Sequence, residues 1–260
     1  MKTVVITGAS SGIGAALARH LGRQGHNLVL AARRADALNA VANEIPSHVI
    51  TVVTDVTRRN DVNRLRDEAL GAFGTIDVWV NNAGRGISRP TLELTDAEFD
   101  EMMAVNVKSV LYGMQAVVPH FAERRQGHII NISSFLGRVP IATHRSAYNA
   151  AKAALNALTA NVRIDLAAQY PEVHVSLVMP AMVATDFAKN AIGSTGSVAP
   201  VWSSKSPTQS AEEVAAAIAE VIERPVAEIF TNPASEALAR RYFEDVDAFE
   251  ESLRPARARA

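Results

Sequence analysis

Apolar residues along this chain occur in two patterns that alternate. Short runs of consecutive apolar, mostly β-branched residues predict strands that are buried on both faces. The longer stretches between them carry apolar residues at helical spacing and predict amphipathic helices. The predicted strands are 3–7, 27–32, 48–55, 76–84 (which runs into a turn), 127–134, 173–180 and 227–232.

Several of the predicted helices have recognisable ends. Gly25 and Gly74 close the first and third helices, and Pro46 cannot continue the second. Thr95 and Glu98 have the spacing of a capping box, which predicts that a long helix begins there and reaches about Pro119. The predicted helices are 12–25, 35–45, 61–74, 96 to about 119, 146 to about 169, and 211–223.

The alternation of strands and helices indicates βαβ units and a parallel α/β sheet covered on both faces. No linker and no internal repeat divides the chain, so we expect one domain over 1–260. The least regular stretch, 186–210, is rich in Gly, Ser and Pro; it predicts a functional loop, with a tolerated surface insertion as the alternative. We expect a C-terminal tail over about 234–260 that ends in a frayed basic segment.

The amino-acid composition argues against several classes of function. The 260 residues are 48% hydrophobic, enough for a sizeable core, and the net charge of -1 argues against nucleic acid as the main partner. There is no cysteine, and the seven histidines show no ligand spacing, so we expect no metal site. No segment is long enough to span a bilayer, and the apolar run at the N-terminus is too short for a signal sequence. We therefore expect a soluble cytoplasmic protein with neither a membrane nor a nucleic-acid partner.

A glycine-rich stretch, TGASSGIG (7–14), lies between the first strand and the first helix. Glycines permit a tight turn and a close approach of the backbone, and the following helix offers free N–H groups to a pyrophosphate. No Gly-Lys-Ser/Thr follows, so the turn lacks the lysine of nucleotide triphosphatases. We expect a dinucleotide cofactor here, in contact with Gly8, Ser10, Ser11, Gly12, Ile13 and Gly14.

The end of the second strand should bind the adenine ribose. An acidic residue there would hold a 2′-hydroxyl, but the strand ends with Ala32 followed by Arg33 and Arg34. Guanidinium groups pair with phosphate, so the sequence favours NADP(H) over NAD(H), with a solvated arginine pair as the alternative. Further predicted contacts are Asp55 and Val56 for the adenine, and Asn82, Ala83 and Gly84 near a ribose or the nicotinamide.

The stretch YNAAK (148–152) places Tyr148 and Lys152 one helical turn apart on one face. A cation beside a phenol stabilises the phenolate and lowers the pKa of the phenol. The pair therefore predicts a tuned proton donor, although such pairs also arise by chance on helices.

These stretches together resemble the short-chain dehydrogenase/reductase family. The match consists of TGASSGIG, NNAG, Asn106 in VNVKS, NISS, YNAAK and a proline after the sixth strand, in family order. The resemblance implies a single-domain α/β fold, a Rossmann-type doubly wound parallel sheet of about seven strands with helices on both faces. It also implies a reversible oxidoreductase that acts on CH–OH donors.

The resemblance implies a role for each residue of the motif set. Tyr148 would be the general acid/base, and Lys152 would lower its pKa and hold the nicotinamide ribose. Ser134 would orient the substrate oxygen, and Asn106 would hold a water that links the lysine to solvent. Pro180, Val183 and Thr185 would lie against the nicotinamide, the last two at its carboxamide.

Two departures from the family pattern stand out. The family commonly has its serine thirteen residues before the tyrosine, where this chain has Phe135. Ser134 is one residue further away, so we expect one extra residue in the loop, with Ser133 as a weaker candidate. The family's Pro-Gly after the sixth strand is Pro180-Ala181 here, and we expect the added methyl to be tolerated.

The sequence predicts the substrate contacts and the subunit contacts in less detail. The loop 186–210 and the segment 85–94 should decide the substrate. Candidate lining residues, each of which could equally be ordinary packing, are Phe135, His144, Met182, Phe187 and Trp202, which predict a mostly apolar pocket. The helices 96–118 and 149–168 are apolar on more than one face, which suggests a homo-oligomer, in the family a dimer within a homotetramer; burial under 186–210 is the alternative.

The leading hypothesis is an NADP(H)-dependent carbonyl reductase, reversible as an alcohol dehydrogenase, that acts on a small-molecule carbonyl or alcohol substrate. An alternative is an NAD(H)-linked hydroxy-acyl or sugar alcohol dehydrogenase. A distant alternative is a catalytically silent protein that senses NADP.

Overall fold

The computed structural model describes residues 1–193 and 208–254. Its centre is a seven-stranded parallel sheet with the strand order β3-β2-β1-β4-β5-β6-β7. The strands are β1 Thr3–Thr7, β2 Asn27–Ala32, β3 Val49–Val53, β4 Val78–Asn81, β5 Gly127–Ile132, β6 Val173–Met179 and β7 Glu228–Phe230. The order reverses between β1 and β4, which opens a crevice at the carboxyl ends of these two strands.

Helices cover both faces of the sheet. They are α1 Gly12–Arg23, α2 Ala35–Asn43, α3 Arg59–Phe73, α4 Asp96–Met103, α5 Ser109–Arg124, α6 Ser146–Ala167, α7 Ala211–Glu223, α8 Pro233–Glu244 and α9 Val246–Leu253. One buried cluster joins the sheet to α1 and α7, and includes Leu17 and Ile218. A second joins the opposite face to α3, α5 and α6, and includes Leu65 and Leu155. The doubly wound, single-domain sheet expected from the sequence is confirmed.

The long helix after Thr95 differs from the prediction. Its capping box is present, since Thr95 and Glu98 cap each other through side chain and backbone. A π-helical turn, Ala104–Lys108, then separates α4 from α5, and α5 continues past Pro119 to Arg124. An interior proline costs about 3 kcal/mol or more. Phe121, in the turn that follows the proline, is fully buried in the core, and this burial favours the continued helix.

The expected C-terminal tail contains two helices. Asn232 and Asp245 cap α8 and α9 by accepting hydrogen bonds from Ala234 and Ala248. Phe249 is buried against Phe135 in the loop after β5, so this part of the chain packs onto the body of the domain. Only Leu253 and Arg254 of the basic end are described; residues 255–260 and their predicted fraying lie outside the description.

Within the described ranges, 1–193 and 208–254, no helix combines the length and apolar character that a bilayer crossing requires.

Candidate active site

The residues singled out by sequence meet at one edge of the sheet. In a parallel sheet the carboxyl ends of all strands lie at the same edge, and the loops that follow them share it. The predicted positions that follow β1 to β6 there are Ser10 and Ser11, Arg33 and Arg34, Asp55 and Val56, Asn82 to Gly84, Ser134, and Pro180 to Thr185.

The glycine-rich turn after β1 packs directly against the turn after β4. Gly8 has φ +68°, and a Cβ built on it would lie 2.8 Å from Ala83 Cα. A Cβ on Gly14 would lie 2.5 Å from the Gly8 carbonyl oxygen and from Asn82 Nδ2. Side chains are excluded at both glycines, so only the backbone lines this turn at the start of α1, and backbone N–H groups at a helix start suit a pyrophosphate. The side chain of Ile13 packs into the core, which leaves its backbone for a ligand.

Asn82 and Ala83 brace this turn from the β4 side. Asn82 Nδ2 donates to the Thr7 carbonyl oxygen at 2.8 Å and to that of Gly8 at 3.3 Å. Thr7 Oγ1 accepts from the backbone N–H groups of Asn82 and Ala83 at 3.0 and 3.1 Å. The amide of Asn82 therefore holds the glycine-rich turn in shape.

The two arginines after β2 face different partners. Arg34 Nη2 lies 3.4 Å from Ser10 Oγ and 3.5 Å from Ser11 Oγ, so its guanidinium reaches over the glycine-rich turn. Arg33 acts electrostatically on Asp55 at the end of β3. Both arginines are exposed. Two cations and two hydroxyls thus lie at the carboxyl ends of β1 and β2, and this donor set fits a phosphate group.

The carboxylate of Asp55 is partly engaged with its own loop. Its Oδ1 accepts from Thr57 N at 3.0 Å and from Thr57 Oγ1 at 2.7 Å, and Oδ2 lies 3.8 Å from Arg58 Nε. Partial burial raises the pKa of Asp55, but the hydrogen bonds from Thr57 and the charge of Arg33 outweigh it, so the net pKa is lowered. Neighbouring Val56 packs against the core and can offer only its backbone.

Tyr148, Lys152 and Ser134 form the chemical centre. Tyr148 and Lys152 are 8% and 4% exposed on the first turns of α6. Lys152 Nζ lies 5.7 Å from the centroid of the Tyr148 ring and donates to the Ile132 carbonyl oxygen at 2.8 Å. Ser134 hydrogen-bonds to Tyr148 through its side chain, and its Oγ accepts from Leu136 N at 3.1 Å. A hydroxyl, a phenol and an amine are thus assembled at the end of β5.

The pKa values at this centre differ from the expectation. Burial raises the pKa of Tyr148 to about 12, although the hydrogen bond with Ser134 and the charge of Arg145 act in the opposite direction. Burial also lowers the pKa of Lys152 to about 7. The prediction that Lys152 depresses the pKa of Tyr148 is therefore wrong for the protein alone, because desolvation dominates both groups. The cation that favours the phenolate here is Arg145, which the sequence analysis missed.

The two candidate serines, Ser133 and Ser134, have different hydrogen-bond partners. Ser133 Oγ turns under α6 and donates to Asn156 Oδ1 at 2.5 Å, away from Tyr148. Phe135, at the family's usual serine position, is 1% exposed and packs with Val139 and Phe249. A short 3₁₀ turn, Phe135–Gly137, follows Ser134. Only Ser134 of these three residues interacts with the phenol.

Asn106 lies in the π turn and is fully buried. Its Nδ2 donates to the carbonyl oxygens of Arg85 and Met102 at 3.0 and 3.1 Å, and its Oδ1 accepts from Arg85 N at 3.3 Å. A Cβ on Gly84 would lie 3.0 Å from Asn106 Oδ1 and 3.8 Å from Lys152 Nζ. The π turn, a feature frequent at functional sites, therefore brings the amide next to Gly84 and the lysine.

The loop after β6 closes over the glycine-rich turn. The Pro180 carbonyl oxygen accepts from Phe135 N at 2.8 Å, and Val183 forms a β-bridge with Gln209. Thr185 Cγ2 would lie 3.4 Å from a Cβ on Gly12, so this threonine lies beside the turn. The methyl of Ala181 packs in the cluster of Phe135, which explains how the Pro-Ala departure fits.

The substrate side is formed by segments far apart in sequence. Residues 85–88 pair with Ile192 through Ser88 N to Ile192 O at 2.7 Å and Ile192 N to Gly86 O at 3.0 Å. The ring of Phe187 stands edge-on to that of Tyr148, with centroids 5.6 Å apart. His144 is half-buried and bonded through its carbonyl oxygen to Arg89 N, and Met182 is half-buried.

Of the predicted pocket residues, Phe187 contacts Tyr148, and Phe135 belongs to the core. Trp202 and the rest of 194–207 lie outside the described residues. Arg145, three residues before Tyr148 in HRSAY, could have been noticed as a cation within one helical turn of the phenol. Among the residues described, no group of three His, Asp or Glu side chains is placed to hold a metal ion.

Comparisons with known proteins agree with this geometry. The family model for short chain dehydrogenases matches residues 2–194. An uncharacterized oxidoreductase of Staphylococcus epidermidis is 36% identical over 184 residues, which are 71% of this chain and 79% of that relative.

Two solved structures are similar over nearly their whole length. A short chain dehydrogenase/reductase from Burkholderia phymatum, in complex with NAD, is 30% identical with a TM-score of 0.86, and the match covers 95% of this chain and 94% of that one. An alcohol dehydrogenase from the archaeon Thermococcus sibiricus, complexed with 5-hydroxy-NADP, is 30% identical with a TM-score of 0.77, covering 88% and 95%. Of these two similar proteins, one is complexed with NAD and the other with a modified NADP.

Proposed function

The chain belongs to the short chain dehydrogenase family and is an oxidoreductase, and we propose that it is an NADP(H)-dependent carbonyl reductase, reversible as an alcohol dehydrogenase. The observation that carries the proposal is the assembly of Ser134, Tyr148 and Lys152 at the end of β5, with Lys152 near Gly84 in the turn after β4. Its substrate is a small molecule with a carbonyl or secondary alcohol group.

Different residues bind different parts of the cofactor in this proposal. The backbone of 8–14 and the start of α1 hold the pyrophosphate, and Lys152 holds the nicotinamide ribose. Bound NADP(H) would supply or accept the hydride. Arg33 and Arg34 bind the 2′-phosphate, which supports NADP(H) over NAD(H). Since the similar structures contain both kinds of cofactor, this chain's own arginines carry that preference.

The residues of the chemical centre move the proton. In reduction, Tyr148 donates its proton to the carbonyl oxygen while Ser134 orients that oxygen by a hydrogen bond. A phenol whose pKa is about 12 is fully protonated at neutral pH, which suits the reducing direction. Oxidation needs the phenolate, so its rate should rise with pH. Lys152 in its charged form stabilises that phenolate, and Asn106 holds a water next to the lysine.

The first test of this function is the initial rate of NADPH consumption, with NADH in parallel, over aldehydes, ketones, diketones and keto-esters. Turnover of a subset with NADPH faster than with NADH supports the proposal. Turnover with NADH alone would instead support an NAD(H)-linked dehydrogenase, the candidate that the NAD complex of the Burkholderia phymatum structure favours. Tight NADPH binding without any turnover in either direction would favour a sensing protein.

We also propose that the chain forms a homo-oligomer, with a homotetramer as the expected assembly. The outer face of α6 presents small or apolar residues to solvent, among them Ala150, Ala153, Ala157 and the 71% exposed Ile164. A partner that covers this face would bury it. Analytical ultracentrifugation of the wild type and of Ala153→Glu tests the idea: the wild type should sediment as a dimer or tetramer and the variant as a smaller species. A monomeric wild type would refute it.

A further inference from the structure

Three arginines belong to the paired segments 85–89 and 144–145, and two of them are neutralised by glutamates. Arg85 forms an ion pair with Glu101, and Arg89 Nη2 lies 3.0 Å from Glu98 Oε1. Both glutamates belong to α4. Arg145 has no carboxylate within ion-pair distance among the described residues.

The remainder of the chain supplies no side-chain carboxylate either. The residues outside the description, 194–207 and 255–260, contain neither aspartate nor glutamate in the sequence. Every Asp and Glu side chain therefore belongs to the described part, where none pairs with Arg145. The charge of this arginine is left without a counter-ion from an acidic side chain of its own subunit.

The position of Arg145 is set by its contacts with Gly86 and Ile87, in the segment 85–94. Its Nη1 donates to the Ile87 carbonyl oxygen at 3.1 Å. A Cβ on Gly86 would lie 3.1 Å from Arg145 Nη1 and 2.9 Å from Phe187 Cε1, so the guanidinium and the Phe187 ring flank the same glycine. Phe187 in turn contacts the Tyr148 ring. The cation therefore belongs to the wall beside the reacting phenol.

Its surroundings make an unpaired guanidinium costly. Arg145 is half-buried, and burial lowers its pKa, while the charge of Tyr148 acts in the opposite direction. A guanidinium has five N–H donors in a planar fork, and one of its nitrogens is bonded to Ile87. The remaining donors match a carboxylate, which such a fork binds through two parallel hydrogen bonds.

We propose that the substrate carries a carboxylate and that Arg145 binds it, so that the enzyme reduces oxo acids or oxidises hydroxy acids. This assignment rests on the proposed reductase function. A carboxylate is favoured over a phosphate because one cation is available; the neighbouring arginines that a dianion would require are already paired with Glu98 and Glu101. Arg145 is thus a specificity-determining residue rather than a proton carrier.

The test compares oxo acids with their methyl esters, which differ in the charge. Benzoylformate, acetoacetate and levulinate place the carboxylate at three distances from the carbonyl, and each is assayed beside its ester with NADPH. The proteins are the wild type, Arg145→Gln, Arg145→Lys and, as the matched control, Arg89→Gln. For each we would measure kcat, KM and the melting temperature.

The proposal predicts that the wild type prefers at least one acid to its ester. Arg145→Gln should raise KM for that acid about 10- to 100-fold and change KM for the ester less than about threefold. Arg145→Lys should recover part of the loss, and Arg89→Gln should keep the preference for the acid. Equal losses for acid and ester, carried by kcat, would overturn the proposal, because Arg145 would then act through Tyr148 or the fold. An unchanged acid KM would overturn it as well.

Failure of the reductase function is recognised separately. If no probe turns over, calorimetric titration of levulinate into the protein with NADP+ measures the anion site without chemistry. Binding to the wild type that Arg145→Gln abolishes would retain the anion site and refute only the reductase. Absence of binding to the wild type, or equal binding to both proteins, would overturn the anion site itself.

Discussion

The cofactor side and the substrate side of the site are built in different ways. On the cofactor side, the turns after β1 and β4 touch through backbone, and Thr7 and Asn82 hold them with four hydrogen bonds. On the substrate side, distant segments meet through isolated β-bridges, Ile87 with Ile192 and Arg89 with Arg145. The first is a tightly packed pair of turns, which we propose as the cofactor cradle. The second is held by fewer contacts, and we propose that it determines the substrate.

The cofactor side and the substrate side differ in how many substitutions they tolerate. A side chain at Gly8 or Gly14 would collide with backbone, so the cofactor cradle tolerates little change. The substrate wall carries arginines whose effect depends on whether an acidic partner is present. Arg85 and Arg89 are paired, while Arg145 is left to face the phenol. Substitutions on one side of the site should therefore leave the function of the other side intact.

Among the variants that keep Tyr148, the largest effect is expected from Ser134→Ala, with the adjacent Ser133→Ala as its matched control. Ser134→Ala removes the hydroxyl that hydrogen-bonds to Tyr148 and should lower kcat by about 10²- to 10³-fold, the usual loss for one oriented donor. Ser133→Ala removes a buried bond to Asn156 and should cost about 1 kcal/mol of stability with kcat nearly unchanged. Steady-state rates and thermal unfolding of both variants give the answer. A larger loss of kcat in Ser133→Ala would assign the substrate contact to the other serine.

Next in size is the effect of the arginines on cofactor choice. Arg34→Ala should weaken NADPH binding about 10- to 100-fold, because a charge-assisted contact to the 2′-phosphate is lost. NADH has no such phosphate, so its affinity should change little. Fluorescence titration with both cofactors measures the ratio, and Arg23→Ala, an exposed arginine at the end of α1, is the control. An equal loss for both cofactors in Arg34→Ala would remove the argument for NADP(H).

A glycine pair tests the rigidity of the cradle. Gly14→Ala places a methyl 2.5 Å from the Gly8 carbonyl oxygen and should cost about 1–3 kcal/mol of stability together with cofactor affinity. Gly71→Ala, inside α3 with nothing within 4 Å of its Cβ, should be neutral or stabilising by up to about 1 kcal/mol. Denaturant unfolding compares the two. A harmless Gly14→Ala would mean that the two turns move apart easily.

The smallest effect concerns the proton on Lys152. Its pKa of about 7 means that the free protein at pH 8 holds this amine mostly neutral. An anionic cofactor favours the charged form, so its binding should raise the pKa and take up a proton, up to about one per site. Calorimetry of NADPH binding in two buffers with different protonation enthalpies measures the uptake. Lys152→Met should abolish it, and an unchanged uptake in that variant would assign the proton to another group.

The sequence predicted the parts of the molecule that depend on local pattern. Continuous apolar runs located every strand of the sheet to within a few residues, and Thr95 with Glu98 marked the start of α4. The glycine spacing located the cofactor side of the site, and the YNAAK stretch located Tyr148 and Lys152. Each of these motifs lies within a single turn or a single helix. These elements could be predicted without knowing any contact between residues that are far apart in the sequence.

The remainder depended on contacts that a linear reading does not contain. The extension of α5 past Pro119 follows from burial of Phe121, and the packing of α9 follows from Phe249 meeting Phe135. The pKa of Tyr148 rises because of burial, which outweighs the cations near it in sequence. The importance of Arg145 emerged only once the acidic partners of Arg85 and Arg89 were known.

The most direct test of the account is the Tyr148→Phe variant, assayed for both cofactor binding and turnover. The substitution removes only the phenolic oxygen, so NADPH affinity by fluorescence titration should be nearly that of the wild type. The initial rate of NADPH oxidation with the best carbonyl substrate should fall by about 10²- to 10⁴-fold, since the proton donor is gone. A variant that binds NADPH and reduces the carbonyl at a near-normal rate would contradict the assignment of Tyr148 as the acid and, with it, the mechanism.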